Sequence, residues 1–157
     1  MSDRFELIGE NDRPALLAFS TPEWLDAVRT ATQELGYLVH TAATHSDFLI
    51  RFSQVRYQLV VLEECFAATT IEENVALRTL QTMPMNQRRH AAVVLLGNSF
   101  QTFTPMQAFQ KSVHAVINAS ELFLVKQLIE RAVGDKTMFL RGYRDAQNRA
   151  HSSSHVA

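Results

Sequence analysis

Tyr57-Gln-Leu-Val-Val-Leu-Glu-Glu-Cys65 is a short apolar run that stops on two adjacent carboxylates. Its β-branched centre, Val60 and Val61, is typical of a strand buried on both faces, as in a parallel sheet covered by helices. Open α/β sheets bind their ligands outside the carboxyl ends of the strands. The polar residues that end this strand are therefore the first candidates for a functional site.

Four more segments have the length and composition of strands. They are predicted at Ala15–Phe19, Tyr37–Ala42, Ala91–Leu96 and Val113–Asn118. After the first of them, Thr21 is placed to cap a helix and Pro22 to occupy its first position. Gly36 stands where a left-handed residue ends a helix. The pattern predicts one strand followed by one helix, repeated along the chain.

The later helices are predicted from apolar spacing and from helix-starting residues. The second helix has a buried stripe of Phe48, Leu49, Phe52 and Val55. A third helix follows the loop 66–71 and ends near Pro84, and a short one runs from Pro105 to Lys111. Ser120 is predicted to cap the last helix. That helix should face the core with Leu122, Val125, Leu128, Ile129 and Ala132.

Five strands alternating with five helices predict an α/β fold with a doubly wound, five-stranded parallel sheet. Right-handed crossovers and the size of the chain favour the flavodoxin-like strand order 2-1-3-4-5. In that order the carboxyl ends of strands 1 and 3 flank the switch point of the sheet. One shared surface should therefore be lined by Phe19, Ser20, Glu63 and Glu64.

Length and composition predict one domain and exclude several classes of partner. The 157 residues are 46% hydrophobic and 20% charged, which suffices for a single full core. A net charge of -1 gives no general attraction to nucleic acid or to an anionic membrane. Cys65 is the only cysteine, and no segment is long and apolar enough to span a membrane. We expect a cytoplasmic protein.

The predicted organisation has four parts. Residues 1–13 are a polar arm, and residues 14–133 form the α/β domain. Residues 134–149 are expected to continue the last helix, and the Ser-rich tail 150–157 is expected to be disordered.

Over roughly residues 14 to 133, this pattern of elements resembles the receiver domain of bacterial response regulators. Receivers carry two acidic residues after strand 1, a phosphoacceptor Asp at the end of strand 3, a Thr or Ser after strand 4 and a Lys after strand 5. Here the corresponding positions hold, in that order, Phe19 and Ser20, Glu63, Gly97 and Asn118, with Asn98 and Ser99 just beyond Gly97. The resemblance thus implies a degenerate receiver.

The chain is also similar to a group of uncharacterised bacterial proteins with degenerate receiver domains, some of which have a zinc ribbon in front. The similarity lies in Leu80-Gln-Thr-Met-Pro-Met-Asn-Gln-Arg-Arg-His90, Val93-Val-Leu-Leu-Gly97 and Met106-Gln-Ala-Phe-Gln-Lys-Ser-Val113, then Asn118 and a long final helix. With one cysteine, this chain has no such ribbon. The similarity implies the fold and carries no activity across.

The departures from the receiver pattern predict a domain without phosphoryl transfer. Transfer to a receiver Asp needs Mg²⁺ held by carboxylate oxygens, and Phe19 and Ser20 supply none. Asn118 lacks the charge of the receiver Lys. Glu63 is interpreted either as a permanent imitation of the phosphorylated state or as a relic carboxylate at a solvated strand end. Glu64 should point away from it, toward solvent or a helix, because neighbours on a strand alternate.

Other side chains with chemical potential show no pattern of a catalytic or metal site. A lone cysteine such as Cys65 is more often a small buried hydrophobe than a nucleophile. The six histidines have no ligand spacing, so no metal and no cofactor is expected. Arg88-Arg89-His90 is interpreted as a solvated turn. No nucleophile elbow or glycine-rich phosphate loop occurs, and we expect no enzymatic activity.

The carboxyl-terminal extension offers a second candidate surface. Phe139, Leu140 and Tyr143 continue the apolar period of Leu128 and Ala132. This stripe is either a partner or homodimer surface or a helix folded back on its own domain, and the sequence leaves both open.

Two functional hypotheses follow. The first is a stand-alone, non-catalytic pseudo-receiver for signalling or assembly by protein contact, with a protein partner or as a homodimer. The alternative is a binder of a small molecule or nucleotide in the cleft after strands 1 and 3.

Overall fold

Five parallel strands form one sheet in the order β2-β1-β3-β4-β5 in this computed structural model, which describes residues 8, 9 and 11–135. The strands are β1 Pro14–Ala18, β2 Leu38–Ala42, β3 Leu59–Glu63, β4 Ala92–Gly97 and β5 Ala115–Asn118. The register places Leu17 beside Val61, Val61 beside Val94, and Val94 beside Ala115. The predicted strand order is confirmed, and β3 lies at the centre of the sheet.

Helices cover both faces of the sheet. They are α1 Pro22–Glu34, α2 His45–Gln54, α3 Val75–Thr82, the short α4 Met85–Arg88, α5 Pro105–Lys111 and α6 at residues 125–135. Two 3₁₀ helices, Ile71–Glu73 and Ala119–Leu124, precede α3 and α6. The predicted doubly wound α/β fold is therefore correct.

Alternate residues of each strand point to opposite faces, so the sheet separates two apolar cores. Leu16, Val60 and Leu95 pack on the side of α2, α3 and α5. Leu17 and Val61 pack on the side of α1 and α6. Both sets are fully buried, which explains the continuous apolar runs in the sequence.

The helix termini follow the sequence signals with one exception. Pro22 opens α1, Gly36 follows that helix with φ of 92°, and α5 has its predicted bounds. The prediction that Ser120 caps the last helix is wrong. Asn118 caps the 3₁₀ helix Ala119–Leu124 that leads into α6, because its side-chain oxygen accepts a hydrogen bond from the N–H of Ser120 at 2.8 Å.

The last helix nevertheless packs as its periodicity predicts. Val125, Ile129 and Ala132 are buried against the sheet, and Leu122 and Leu128 pack at the edge of the same core.

Several predictions concern residues outside the described range. They are most of the arm 1–13, the extension beyond Asp135 with Phe139, Leu140 and Tyr143, and the tail 150–157. In the part of the chain that is described, no helix has the length and apolarity that a membrane crossing would need.

Candidate functional site

The carboxyl end of β3 places Glu63 beneath the loop that joins β1 to α1. Its side chain is only 6% exposed. One carboxylate oxygen, Oε1, accepts the N–H groups of Ser20 at 2.9 Å and Thr21 at 3.0 Å. The other, Oε2, accepts the Thr21 hydroxyl at 3.0 Å. The interpretation of Glu63 as a carboxylate at a solvated strand end is therefore wrong, because this group is buried and holds the loop.

Thr21 explains why the loop is shaped this way. It occupies the N-cap position of α1 as predicted, with extended backbone angles, yet its hydroxyl makes no capping hydrogen bond within the helix. The hydroxyl donates instead to Glu63. Glu63 thus accepts the hydrogen bond of a hydroxyl that at this position usually caps its own helix. This bond connects the start of α1 to the central strand β3.

The loop after β3 is fastened to the same place. Ser20 accepts the N–H of Ala67 on its hydroxyl oxygen at 2.7 Å. The ring of His45, the first residue of α2, accepts the N–H of Ala76 on Nδ1 at 3.1 Å. With Nδ1 as acceptor, Nε2 carries the proton and donates to the carbonyl of Ala67 at 3.3 Å. The start of this loop and the first turn of α3 are thereby attached to neighbouring elements.

Asn74 joins the network from the start of α3. Its side-chain nitrogen donates to the carbonyls of Glu63 and Glu64, each at 3.0 Å. Its oxygen accepts the N–H of Leu77 at 3.1 Å and so caps α3. Asn74 is 1% exposed, so these bonds form in a site with little competing water.

Glu64 extends in another direction, across the end of β4. Its Oε1 accepts the N–H of Ser99 at 3.3 Å. A Cβ atom at Gly97 would overlap the Glu64 side chain, so the glycine leaves the space that this carboxylate fills. The two adjacent glutamates thus serve different loops and do not form an acid/base pair.

These side chains border a cleft of about 400 Å³ at the carboxyl edge of the sheet. The described residues that line it are Thr21, Trp24, Glu63, Glu64, Cys65, Gly97, Asn98 and Ser99. They include two carboxylates and no Lys, Arg or His. A phosphate group in this cleft would therefore meet charge of its own sign.

Cys65 lines the cleft and is half-buried, so the expectation of a fully buried thiol is wrong. Burial, and then the negative charges of Glu64, Glu63, Glu72 and Glu73, raise the pKa of the Cys65 thiol. Since the thiolate is the nucleophilic form, this environment disfavours the reactive form of Cys65.

Asn118, at the position of the receiver Lys, faces the loop after β4. Its side-chain nitrogen donates to the carbonyl of Phe100 at 2.6 Å and lies 3.5 Å from that of Asn98. Its backbone N–H donates to the Thr102 hydroxyl at 2.9 Å. Asn118 therefore organises a loop and the start of a helix.

Two sequence interpretations are corrected by the geometry. Phe19 is 6% exposed and packs in the core beneath α1 and α6, so it is absent from the described lining of the cleft. Arg88 does not lie in a solvated turn, because it is 5% exposed and donates to the carbonyls of Leu80 and Ser112. Ser20 contacts Glu63 through its backbone N–H but is likewise absent from the described lining of the cleft, which Glu63 and Glu64 share.

Sequence reasoning missed Trp24, His45, Asn74 and the hydroxyl role of Thr21. Asn74 carried a usable signal, since Asn is among the preferred N-cap residues and α3 follows it directly. His45 and Trp24 carried none, because their place at the site depends on how α1 and α2 pack.

The receiver fold implies Mg²⁺ at the end of β3, and the residues here do not fit that ion. Phe19 is apolar, the Ser20 hydroxyl oxygen accepts from Ala67, and the Glu63 carboxylate is engaged by three donors. Octahedral coordination needs several oxygens free to face the metal. Within residues 8, 9 and 11–135, no three His, Cys, Asp or Glu side chains are grouped to hold a metal ion.

No protein-family model matches the sequence, and no curated protein matches it. Solved structures of receiver domains do. The chemotaxis response regulator CheY4 of Vibrio cholerae superposes with a TM-score of 0.58 at 14% identity, covering 78% of this chain and 99% of that one. A CheY-like receiver domain protein from Methanospirillum hungatei gives 0.62 at 13% identity, covering 82% and 98%.

A third match is a response regulator from Burkholderia pseudomallei that was solved with a phosphorylated aspartic acid, a calcium ion and citrate. Its TM-score is 0.62 at 12% identity, and the alignment covers 87% of this chain and 75% of that one. At these identities the likeness concerns the fold alone. The sheet order, the helix placement and these superpositions show that the chain has the CheY-like, flavodoxin-like fold of response-regulator receiver domains.

Proposed function

We propose that this protein is a non-catalytic pseudo-receiver that acts by protein contact and is not switched by phosphorylation. The observation that carries the proposal is the state of Glu63. At the position that resembles the phosphoacceptor, the carboxylate is buried and accepts three hydrogen bonds from the β1–α1 loop. A carboxylate held in this way is already committed to the loop, and those hydrogen bonds would have to break before it could accept a phosphoryl group.

The electrostatics of the cleft support the same proposal. Phosphoryl transfer relies on cations that offset the charge of the transferring group. The described lining supplies Glu63 and Glu64 and no cationic side chain. This also disfavours the alternative function as a nucleotide binder, because a nucleotide would bring further negative charge.

Two exposed apolar side chains on α5 support the proposed protein contact. Phe109 is 81% exposed and Met106 is 62% exposed, and both lie on the outer side of this short helix. Large apolar side chains exposed together are common at interaction surfaces. We assign the proposed contact, with a partner protein or with a second copy, to this outer face of α5.

The test uses tagged wild-type protein and two variants, with and without acetyl phosphate and Mg²⁺. Phe109→Ser removes the proposed contact. Phe123→Ser is the matched control, because Phe123 is 80% exposed on a different element. Intact mass is measured in parallel with partner capture and sedimentation.

Wild-type protein and Phe123→Ser should retain the same partner or self-association, and Phe109→Ser should lose it. Acetyl phosphate should change neither the mass nor the binding. A stoichiometric phosphoryl adduct, or binding that needs acetyl phosphate, would contradict the proposal. Equal binding by both variants would place the contact elsewhere.

A further inference from the structure

The loop that follows β3 is anchored at both ends by buried side chains. Phe66, near its start, is fully buried in the core beneath α2 and α3. Asn74, at its end, is 1% exposed, and its side chain donates to the carbonyls of Glu63 and Glu64. Residues 67–73, which we call the flap, lie between these anchors and are exposed or half-buried. The ends of the flap are therefore fixed, while its middle lies at the surface.

Ala67 joins the first part of the flap to the rest of the domain. Its N–H donates to the Ser20 hydroxyl oxygen at 2.7 Å, and its carbonyl accepts from Nε2 of His45 at 3.3 Å. In the part of the chain that the structure describes, residues 67–71 make no other hydrogen bond to a residue outside the loop 63–74. Releasing Ala67 therefore releases this part of the flap.

The backbone of Ala67 is strained. Its φ is 49°, in the left-handed region, where the Cβ atom of any residue except glycine is crowded by the backbone. Ala67 is also exposed, so core packing does not enforce this conformation. The hydrogen bonds to Ser20 and His45 hold it instead. Because strain of this kind and the net contribution of a hydrogen bond are similar in size, the held and the released arrangements are close in free energy.

We infer that the flap opens and closes at the carboxyl edge of the sheet, with Ala67 as its latch. In the closed arrangement, Ser20 and His45 hold Ala67 at positive φ. In the open arrangement, Ala67 returns to negative φ and its N–H and carbonyl bond to water, while Phe66 and Asn74 stay buried. This opening is a local motion of the folded domain, and it is independent of the proposed contact on the outer face of α5.

His45 connects the opening of the flap to α3. Its Nδ1 accepts the N–H of Ala76, in the first turn of α3, at 3.1 Å, while its Nε2 donates to Ala67. When Ala67 leaves, the imidazole keeps one of these two hydrogen bonds and is held less firmly against Ala76. The flap also follows directly on Cys65, which lines the cleft. The latch thus links one wall of the cleft, through His45, to the start of α3.

The test measures amide hydrogen exchange by NMR at three positions in the full chain. The amide of Ala68, which donates to the carbonyl of Cys65 within the loop at 3.2 Å, reports the flap. The amide of Ala76 reports the coupling through His45, and that of Val61 in β3 reports unfolding of the whole domain. Protection factors are corrected for the intrinsic exchange rate of each sequence, so their ratio gives the change in the opening equilibrium.

The first pair of variants tests the strain. Ala67→Gly should raise the protection of residue 68 at least threefold, because glycine adopts positive φ without the crowding of Cβ. Ala68→Gly is the matched control, since it makes the same substitution one residue later, where φ is not positive. This control should not raise the protection of residue 68, because glycine there only adds freedom to the open flap.

The second pair tests the latch. Ser20→Ala removes the acceptor of the Ala67 N–H, and it should lower the protection of both Ala68 and Ala76 at least threefold. Ser99→Ala is its control, because Ser99 lines the cleft and its hydroxyl makes no hydrogen bond among the described residues. It should leave both amides unchanged. In wild type and in all four variants, Val61 should remain at least a hundredfold more protected than residue 68.

Three results would overturn the inference. The first is an Ala67→Gly variant whose protection at residue 68 does not rise, or rises no more than in Ala68→Gly, since strain would then not oppose closure. The second is a Ser20→Ala variant with unchanged protection at Ala76, which would mean that the latch does not reach α3. The third is equal protection at Ala68 and Val61, which would mean that the flap opens only when the domain unfolds.

Discussion

Glu63 shows how one buried carboxylate can hold a loop against the central strand of a sheet. It accepts the N–H groups of Ser20 and Thr21 and the hydroxyl of Thr21. Each of these donors would otherwise have to be hydrated or left unpaired next to the central strand. The extra methylene of Glu relative to Asp lets the carboxylate reach the loop after β1.

Removing this carboxylate should destabilise the domain. A buried donor left without a partner costs about 1–3 kcal/mol, and Glu63→Ala leaves three such donors. We expect urea denaturation to show a loss of at least about 2 kcal/mol for Glu63→Ala, since partial hydration of the loop offsets some of the cost. Glu63→Gln keeps a carbonyl oxygen for the two N–H groups and should lose less than half as much.

Glu64→Ala is the matched control for this experiment. Its carboxylate makes one longer hydrogen bond, to Ser99 at 3.3 Å, and is only partly buried. Glu64→Ala should lower the free energy of unfolding by less than about 1 kcal/mol. Equal losses at Glu63 and Glu64 would mean that the buried network is not what holds the loop.

At the scale of elements, Arg88 joins two helix ends that the sequence does not connect. One guanidinium nitrogen donates to the carbonyl of Leu80 in the last turn of α3 at 2.6 Å. Another donates to the carbonyl of Ser112, the residue that ends α5, at 2.7 Å. Helix carboxyl ends carry partial negative charge, so they are suitable partners for a buried cation. Burial lowers the pKa of Arg88.

Replacing Arg88 should therefore lower the free energy of unfolding more than replacing its neighbour Arg89. Arg88→Met leaves two carbonyls without a donor and removes two charge-assisted hydrogen bonds of about 1.5–3 kcal/mol each. We expect a loss of roughly 2–4 kcal/mol in urea denaturation once the apolar packing of Met is counted. Arg88→Lys should recover only part of it, because Lys lacks the forked geometry.

Arg89→Met provides the control, because Arg89 is exposed and should change stability by less than about 0.5 kcal/mol. An Arg88→Met variant as stable as Arg89→Met would show that the two helix ends hold their positions without the guanidinium.

At the scale of the whole molecule, the sheet divides two apolar cores, and Tyr57 is the largest fully buried side chain in the core beneath α2 and α3. Its hydroxyl lies 2.7 Å from Nδ1 of His40. Burial, opposed by the charge of Arg51, raises the pKa of Tyr57 to about 12.

This shift predicts how the stability of the domain depends on alkaline pH. The ordinary pKa of Tyr is about 10, so the unfolded chain loses its proton before the folded one does. The contribution of protonated Tyr57 to the free energy of unfolding is fully present below about pH 10. Above that pH the contribution falls by up to about 1.4 kcal/mol per pH unit, until about pH 12.

Tyr57→Phe removes this titration. The variant should be less stable than wild type at neutral pH, because it loses the hydrogen bond to His40, and its stability should fall less steeply above about pH 10. Urea denaturation across this range measures both effects. Parallel pH profiles for the two proteins would contradict the assignment.

Most of the architecture is determined by local pattern. The apolar run at β3, the proline at the start of α1 and the glycine after it are short-range signals, and they predicted the elements and the strand order. The contact between Ser20 and Glu63 also followed from that order, because the ends of adjacent parallel strands meet at one edge.

The sequence by itself thus determined the α/β class, the order 2-1-3-4-5 and the residues Phe19, Ser20 and Asn118 at the positions that correspond to the acidic pair and lysine of receivers. Only the tertiary structure decided that Glu63 is buried, that Phe19 turns into the core, that Arg88 bridges α3 and α5, and that His45 and Asn74 fasten the site. Secondary structure follows from contacts near in the chain. Hydrogen bonds such as Thr21 to Glu63 join residues 42 positions apart, and their geometry exists only once the helices have packed on the sheet.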